Sequence, residues 1–189
     1  MNAAGRAPEL AVFGGSFNPP HVAHVLAVAY VLAAEAVERV VVVPTFQHPF
    51  QKALAPFDDR LEMCRLAFED LRRVEVSSLE RELGGDSYTV RTLEALHARE
   101  PSMSLALCIG ADVLAERHLW HRAEQVEELA RQIVLGRQGF DSPPGASPPL
   151  PQVSSTEIRR RLAASEDVGP LVPLRVRRYI EEHGLYRQA

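Results

Sequence analysis

Gly14-Gly15-Ser16-Phe17-Asn18-Pro19-Pro20-His21-Val22-Ala23-His24 decides how this chain is read. A short apolar run, Leu10 to Phe13, precedes it and reads as a buried strand. A long apolar segment, Val22 to Val37, follows and reads as a helix. The order is strand, glycine turn, helix, with His21 and His24 sharing a face of the first helical turn. Asn18 is placed to cap that helix, and proline is tolerated just before it because a first-turn N–H has no helical partner. A helix start carries free N–H groups and partial positive charge, and glycine lets backbone approach a ligand closely. The stretch therefore suits a phosphate group. The plainer reading is a helix cap followed by two incidental histidines.

Working outward, 189 residues fit one domain with a sizeable core, and 46% hydrophobic with 24% charged residues is the balance of a soluble globular protein. A net charge of −4 argues against a general nucleic-acid binder, yet leaves room for an anionic ligand held by local arginines. Cys64 and Cys108 match no metal or redox spacing and read as reduced core thiols. The N-terminus has no apolar signal-peptide region, and the longest apolar stretch is too short to span a bilayer. These features point to a cytoplasmic protein with neither membrane nor nucleic-acid partner. Oligomeric state is not legible.

Arg39 to Pro44 contains four consecutive valines, too few for a helix and suited to a strand buried on both faces. A loop over 45–57 is followed by a helix from Asp58, as its cap, to about Leu71. Val74 to Val76 is a short strand, Glu80 to Ser87 a polar loop, and Tyr88 to Arg99 a helix. Ser104 to Ile109 is a strand ending at Gly110-Ala111-Asp112; Val113 to Ala130 is helical in one or two pieces; Gln132 to Gly136 is the next strand. Alternating strands and helices imply a doubly wound, mostly parallel α/β sheet with helices on both faces. Ligands of such sheets bind beyond the strand C-termini where strand order reverses. The loops carrying Gly14, Gln47, Gly110 and Arg137 all follow strands and are free to meet there. Residues 139–151 hold five prolines and two glycines and form a loop, read first as a solvated connection and second as a segment over the site. Closing helices within 154–189, starting at Thr156 and about Leu174, complete a single domain over 1–189.

No Walker A pattern, dinucleotide glycine fingerprint, zinc set or nucleophile elbow is present. A second informative stretch is Val153-Ser154-Ser155-Thr156-Glu157-Ile158-Arg159. Ser154 and Glu157 fit a capping box, which leaves the Arg159-Arg160-Arg161 cluster unexplained. Hydroxyls and free N–H groups with an arginine one turn on make a phosphate clamp.

The first stretch resembles the His-x-Gly-His signature of a nucleotidyltransferase superfamily, and the second resembles that superfamily's Ser-x-Thr-x-x-Arg signature. Within it, the chain is similar to bacterial nicotinate-nucleotide adenylyltransferases. The likeness rests on the loop Pro44 to Lys52, on Ser87-Tyr88-Thr89, on Gly110-Ala111-Asp112 with Trp120, and on the tail from Leu171 to Tyr186. Three positions depart from the family pattern: Asn18 for aspartate, Ala23 for glycine, and Arg91 near a usual aspartate.

The resemblance implies a Rossmann-like nucleotidyltransferase fold and transfer of AMP from ATP to nicotinate mononucleotide, giving deamido-NAD and pyrophosphate, in NAD biosynthesis. Such chemistry needs positioning and charge neutralisation rather than a protein nucleophile. His21, His24, Lys52 and Arg159 are the implied catalytic residues. Gly14, Gly15, Ser16, Phe17, Gly110, Asp112, Arg137, Ser154, Ser155 and Thr156 are implied for ATP, and Tyr88, Thr89 and Trp120 for the pyridine nucleotide. Mg²⁺ would arrive with ATP, with no metal site of the protein's own. Rival readings are a sister enzyme acting on nicotinamide mononucleotide or phosphopantetheine, and a non-catalytic nucleotide sensor.

Overall fold

The computed structural model describes residues 7–49 and 53–187. Among these residues five parallel strands form one sheet in the order β3-β2-β1-β4-β5. They are β1 (Glu9–Gly15), β2 (Arg39–Pro44), β3 (Val74–Val76), β4 (Ser104–Gly110) and β5 (Ala130–Leu135). The alternating pleat sends the valines of β2 to opposite faces. Val40 and Val42 join Ala11, Phe13, Ala106 and Cys108 under α1 (Val22–Ala34) and α2 (Phe57–Phe68). Val41 and Val43 join Leu10, Val12, Leu105 and Leu107 on the other face, under α4 (Thr89–Arg99) and α6 (Ala123–Leu129). Both faces are thus covered, as a parallel sheet requires. The remaining helices are α3 (Leu79–Leu83), α5 (Ala111–Ala115), α7 (Ser155–Ala163) and α8 (Leu174–Glu182). A third apolar cluster joins Met63 of α2 to Ile158 of α7 and to Val176 and Ile180 of α8, fastening the C-terminal helices to the sheet domain.

Several expectations are corrected. The first helix stops at Ala34, and its N-cap is His21, not Asn18. The Asn18 side chain is occupied elsewhere: Oδ1 accepts from the Ala55 N–H at 3.1 Å and the Tyr186 hydroxyl at 3.0 Å. Asp58 does not cap α2, whose N-cap is Pro56 with no side-chain bond. The expected polar loop after β3 begins as α3, because Leu79 and Leu83 are one turn apart and the buried Leu79 draws the segment onto the sheet. The segment 113–130 breaks into α5, a short turn of 3-10 helix at Arg117–Leu119, and α6.

Strand order reverses at β1, so the switch point lies between the C-terminal ends of β1 and β4. Gly14-Gly15 and Gly110 sit at those two ends. The second half of the proline-rich loop is not merely solvated. The Ser147 N–H bonds the Val134 carbonyl at 2.9 Å, and the Leu150 N–H bonds the Gly136 carbonyl at 3.0 Å. Gly136 is required there, since a Cβ on it would lie 2.3 Å from the Ser147 carbonyl oxygen.

Candidate active site

A cleft of about 870 Å³ opens at the switch point. Its walls include Gly14, Gly15, Ser16, His21 and His24 from the first loop and helix, and Gly110, Asp112 and Arg137 from the ends of β4 and β5. Ser154 and Ser155 at the start of α7 join them, as do Tyr88, Thr89 and Trp120 at the far end. The structure thus brings most of the sequence-derived residues to one place.

The histidines are set by packing. Their rings stack with centroids 3.6 Å apart, and the Phe17 ring meets His24 edge-on at 4.9 Å. The His21 backbone N–H donates to His24 Nδ1 at 3.1 Å. That bond makes Nδ1 the acceptor, so Nε2 of neutral His24 carries the proton and is a donor. Burial pushes His21 down to about 4, assisted by the Arg137 charge. Burial lowers His24 well below the usual imidazole range, with His21 and Arg137 adding to it. Both rings are therefore neutral near pH 7 without ligand. His21 Nδ1 is buried with no hydrogen-bond partner. The helix start beneath them is less free than expected, because the Val22 N–H is taken by the Leu171 carbonyl at 3.0 Å.

Phe17 does not face the cleft. It is 2% exposed at φ 44, a left-handed conformation rare for an aromatic residue, and it forms the floor under His24. The loop carrying it is held from below by Arg60, 1% exposed, whose guanidinium donates to the Ser16 carbonyl at 3.0 Å and the Ala55 carbonyl at 2.9 Å. Thr156 and Arg159 also lie off the cleft wall. Arg159 Nη1 donates to the Asn18 carbonyl at 2.8 Å, and Nη2 to the Thr156 hydroxyl at 3.3 Å. Half of the expected capping box forms: Ser154 Oγ accepts from the Glu157 N–H at 3.2 Å. The Glu157 carboxylate instead pairs with Arg160 and Arg161, which accounts for two of the three arginines as surface charge. The Ser155 hydroxyl donates to the Pro19 carbonyl at 2.9 Å, tying α7 to the histidine loop. Lys52 lies outside the described residues.

Asp112 Oδ2 pairs with Arg137 at 3.2 Å, while Oδ1 is buried without a partner. Oδ1 folds so closely over Gly110 that a Cβ there would lie 2.4 Å from it. Among the described residues no cluster of His, Cys, Asp or Glu could hold a metal unaided. Sequence reasoning missed Glu80, Thr92, Thr45, His48 and the Leu150-Pro151-Val153 wall, all of which line the cleft. Glu80 was legible only through the Leu79–Leu83 spacing that makes α3. Burial raises its pKa, against bonds from Ser87, Phe46 and Thr92 and the charge of Arg60, which lower it.

A parallel sheet wound both ways from a switch point, with a cleft at that point, is the architecture of the nucleotide-binding α/β proteins. The model of the cytidylyltransferase-like family matches residues 12–161. A "Probable nicotinate-nucleotide adenylyltransferase" of Anaeromyxobacter dehalogenans is 57% identical over 95% of this chain and 97% of its own length. Another so named, from Myxococcus xanthus, is 44% identical over 95% of each chain. The solved structure of Plasmodium falciparum nicotinic acid mononucleotide adenylyltransferase complexed with NaAD superposes with a TM-score of 0.82 at 19% identity, covering 95% of this chain and 97% of that one, and so shares the fold. The chain belongs to the nicotinate-nucleotide adenylyltransferase family.

Proposed function

We propose that this cleft binds ATP against the β1–α1 loop, the histidines and the start of α7, and binds nicotinate mononucleotide at the Tyr88–Thr89–Trp120 end. The phosphate of the mononucleotide attacks the α-phosphorus of ATP; the new P–O bond forms as the bond to the β-phosphate oxygen breaks, and pyrophosphate leaves. The observation that carries this reading is His24 in the same cleft wall as Gly14-Gly15, its Nδ1 taken by the His21 N–H so that Nε2 is left as the donor. Such a donor stabilises charge developing on the transferring phosphoryl oxygens without reorganising. Arg137 in the cleft adds positive charge, and Ser154 and Ser155 bring the α7 start to the phosphate end.

The acid rather than the amide fits the far end. Helix α4 starts at Thr89 with no side-chain cap and no acidic residue in its first turn, so its N-terminus is available to a carboxylate. Mg²⁺ fits as a companion of ATP: Asp112 Oδ1 offers one unpartnered carboxylate oxygen, and phosphate oxygens and water supply the rest. Bound there it would neutralise charge on the departing pyrophosphate. Pyrophosphate release from ATP and Mg²⁺ tests the assignment, with nicotinate mononucleotide, nicotinamide mononucleotide and phosphopantetheine offered separately. Release is expected with the nicotinate form and is expected to stop on chelation with EDTA. Preference for another acceptor would overturn the assignment of the far end.

A further inference from the structure

Two loops form facing walls at the far end of the cleft. Thr45, His48 and Pro49 come from the segment after β2, and Ser87, Tyr88, Thr89 and Thr92 from the start of α4. The first wall is a loop and the second a loop running into α4, and the two are joined. The Ser87 N–H bonds the Gln47 carbonyl at 2.9 Å, and the Phe46 and Gln47 N–H groups donate to Ser87 Oγ at 3.0 and 3.2 Å. Glu80 stands between them, 9% exposed. One carboxylate oxygen accepts from the Phe46 N–H at 3.0 Å and the other from the Thr92 hydroxyl at 3.1 Å. Ser87 Oγ, beside Glu80, takes the two N–H donors of the 45–49 segment. Two donors, one from the loop after β2 and one from α4, therefore meet on one buried carboxylate. None of these bonds reaches the histidine loop.

We infer that Glu80 is a positioning residue for the acceptor nucleotide: it sets the spacing between the 45–49 wall and the start of α4. This rests on the assignment of the Tyr88–Trp120 end to nicotinate mononucleotide. Glu80 need not touch substrate to act. A side chain without acceptors leaves the Thr92 hydroxyl unpartnered and the Phe46 N–H with Ser87 Oγ as its one acceptor, so the tie between the 45–49 segment and α4 is lost and the wall parts to admit water.

The test is Glu80→Met, which keeps the volume and removes both acceptors. KM for nicotinate mononucleotide is expected to rise about tenfold or more, the scale of one lost hydrogen bond to a charged group, with KM for ATP within about twofold. Glu80→Gln, which retains one acceptor, is expected to fall between wild type and Glu80→Met. If Glu80→Met does not fold, Thr92→Val and Glu80→Gln read the same selective rise. Equal changes in both KM values, or none, overturn the inference. Trp120→Ala checks the underlying assignment separately: if it spares KM for nicotinate mononucleotide, the far end has been misassigned, whatever Glu80 does.

Discussion

Acid should destabilise this protein through His21, and by an amount that the structure sets. Burial and Arg137 bring His21 from 6.5 to about 4 in the folded chain. Between those values the unfolded chain binds a proton that the folded chain refuses, so stability rises with pH across the window and is complete above it. The whole shift is worth about 3 kcal/mol, and about 2 kcal/mol of it is lost between pH 7 and pH 5. For a chain of this size that is a fall in Tm of about 4–8 °C. His24 is lowered by the same burial and adds in the same direction. Glu80, raised by burial, acts oppositely: it gains a proton on acidification more readily folded than unfolded. Comparison with His21→Gln separates these terms, because that variant retains Glu80. Thermal melts of ligand-free protein by circular dichroism at pH 7 and pH 5 should show a drop about 4–8 °C larger in wild type than in His21→Gln. Saturating ATP should shrink the difference, because polyphosphate favours the charged ring that the empty cleft disfavours. Identical acid sensitivity of wild type and variant would refute the burial argument and, with it, the neutral histidine pair.

Two further outcomes follow from the same geometry. His24→Ala removes the Nε2–H donor and should cut turnover by about a hundredfold or more in the pyrophosphate assay, the scale of losing one transition-state donor; near-normal turnover would take His24 out of the mechanism. Gly136→Ala drives a methyl group into the Ser147 carbonyl, 2.3 Å away, and should cost about 2 kcal/mol of stability by denaturant titration; an unchanged midpoint would show that the returning half of the proline-rich loop is not held against β5.

What was legible in the sequence is what has a period or a fixed chemistry. The four valines of β2 declared a strand buried on both faces, and the cores on either side of the sheet divide them in alternation. The placement of Gly14, Gly110 and Arg137 after strands was enough to gather them at one edge. Illegible were the roles that depend on a partner far along the chain. Nothing around Asn18 announces that its carbonyl oxygen serves Ala55 and Tyr186 instead of the helix beside it. Phe17 reads as part of the same loop face as Gly14 to Ser16, which line the cleft; only the fold shows its ring turned under His24. Glu80 looked like one more charge in a polar loop, because the donors that claim it come from residues 46 and 92.

Two of the departures from the family pattern, Asn18 and Arg91, are accounted for by their partners. Asn18 is 3% exposed, and its Oδ1 receives two donors between the buried Arg60 and the half-buried Arg159. A neutral amide satisfies those donors without placing an anion beneath a site that must attract phosphate. Arg91 does not enter the cleft. Its guanidinium donates to the carbonyls of Leu83, Gly84 and Asp86, closing the turn in which Gly84 and Gly85 take positive φ. It therefore stiffens the approach to Ser87, on the same side as Glu80. Ala23 is buried in the cleft wall behind His24, where a methyl group narrows the space next to the first helical turn. Two of the three departures thus alter how the loops are held rather than which groups line the cleft. Ala23 alone of the three lines the cleft, so with ATP placed as proposed, a change in its affinity is expected from that methyl group.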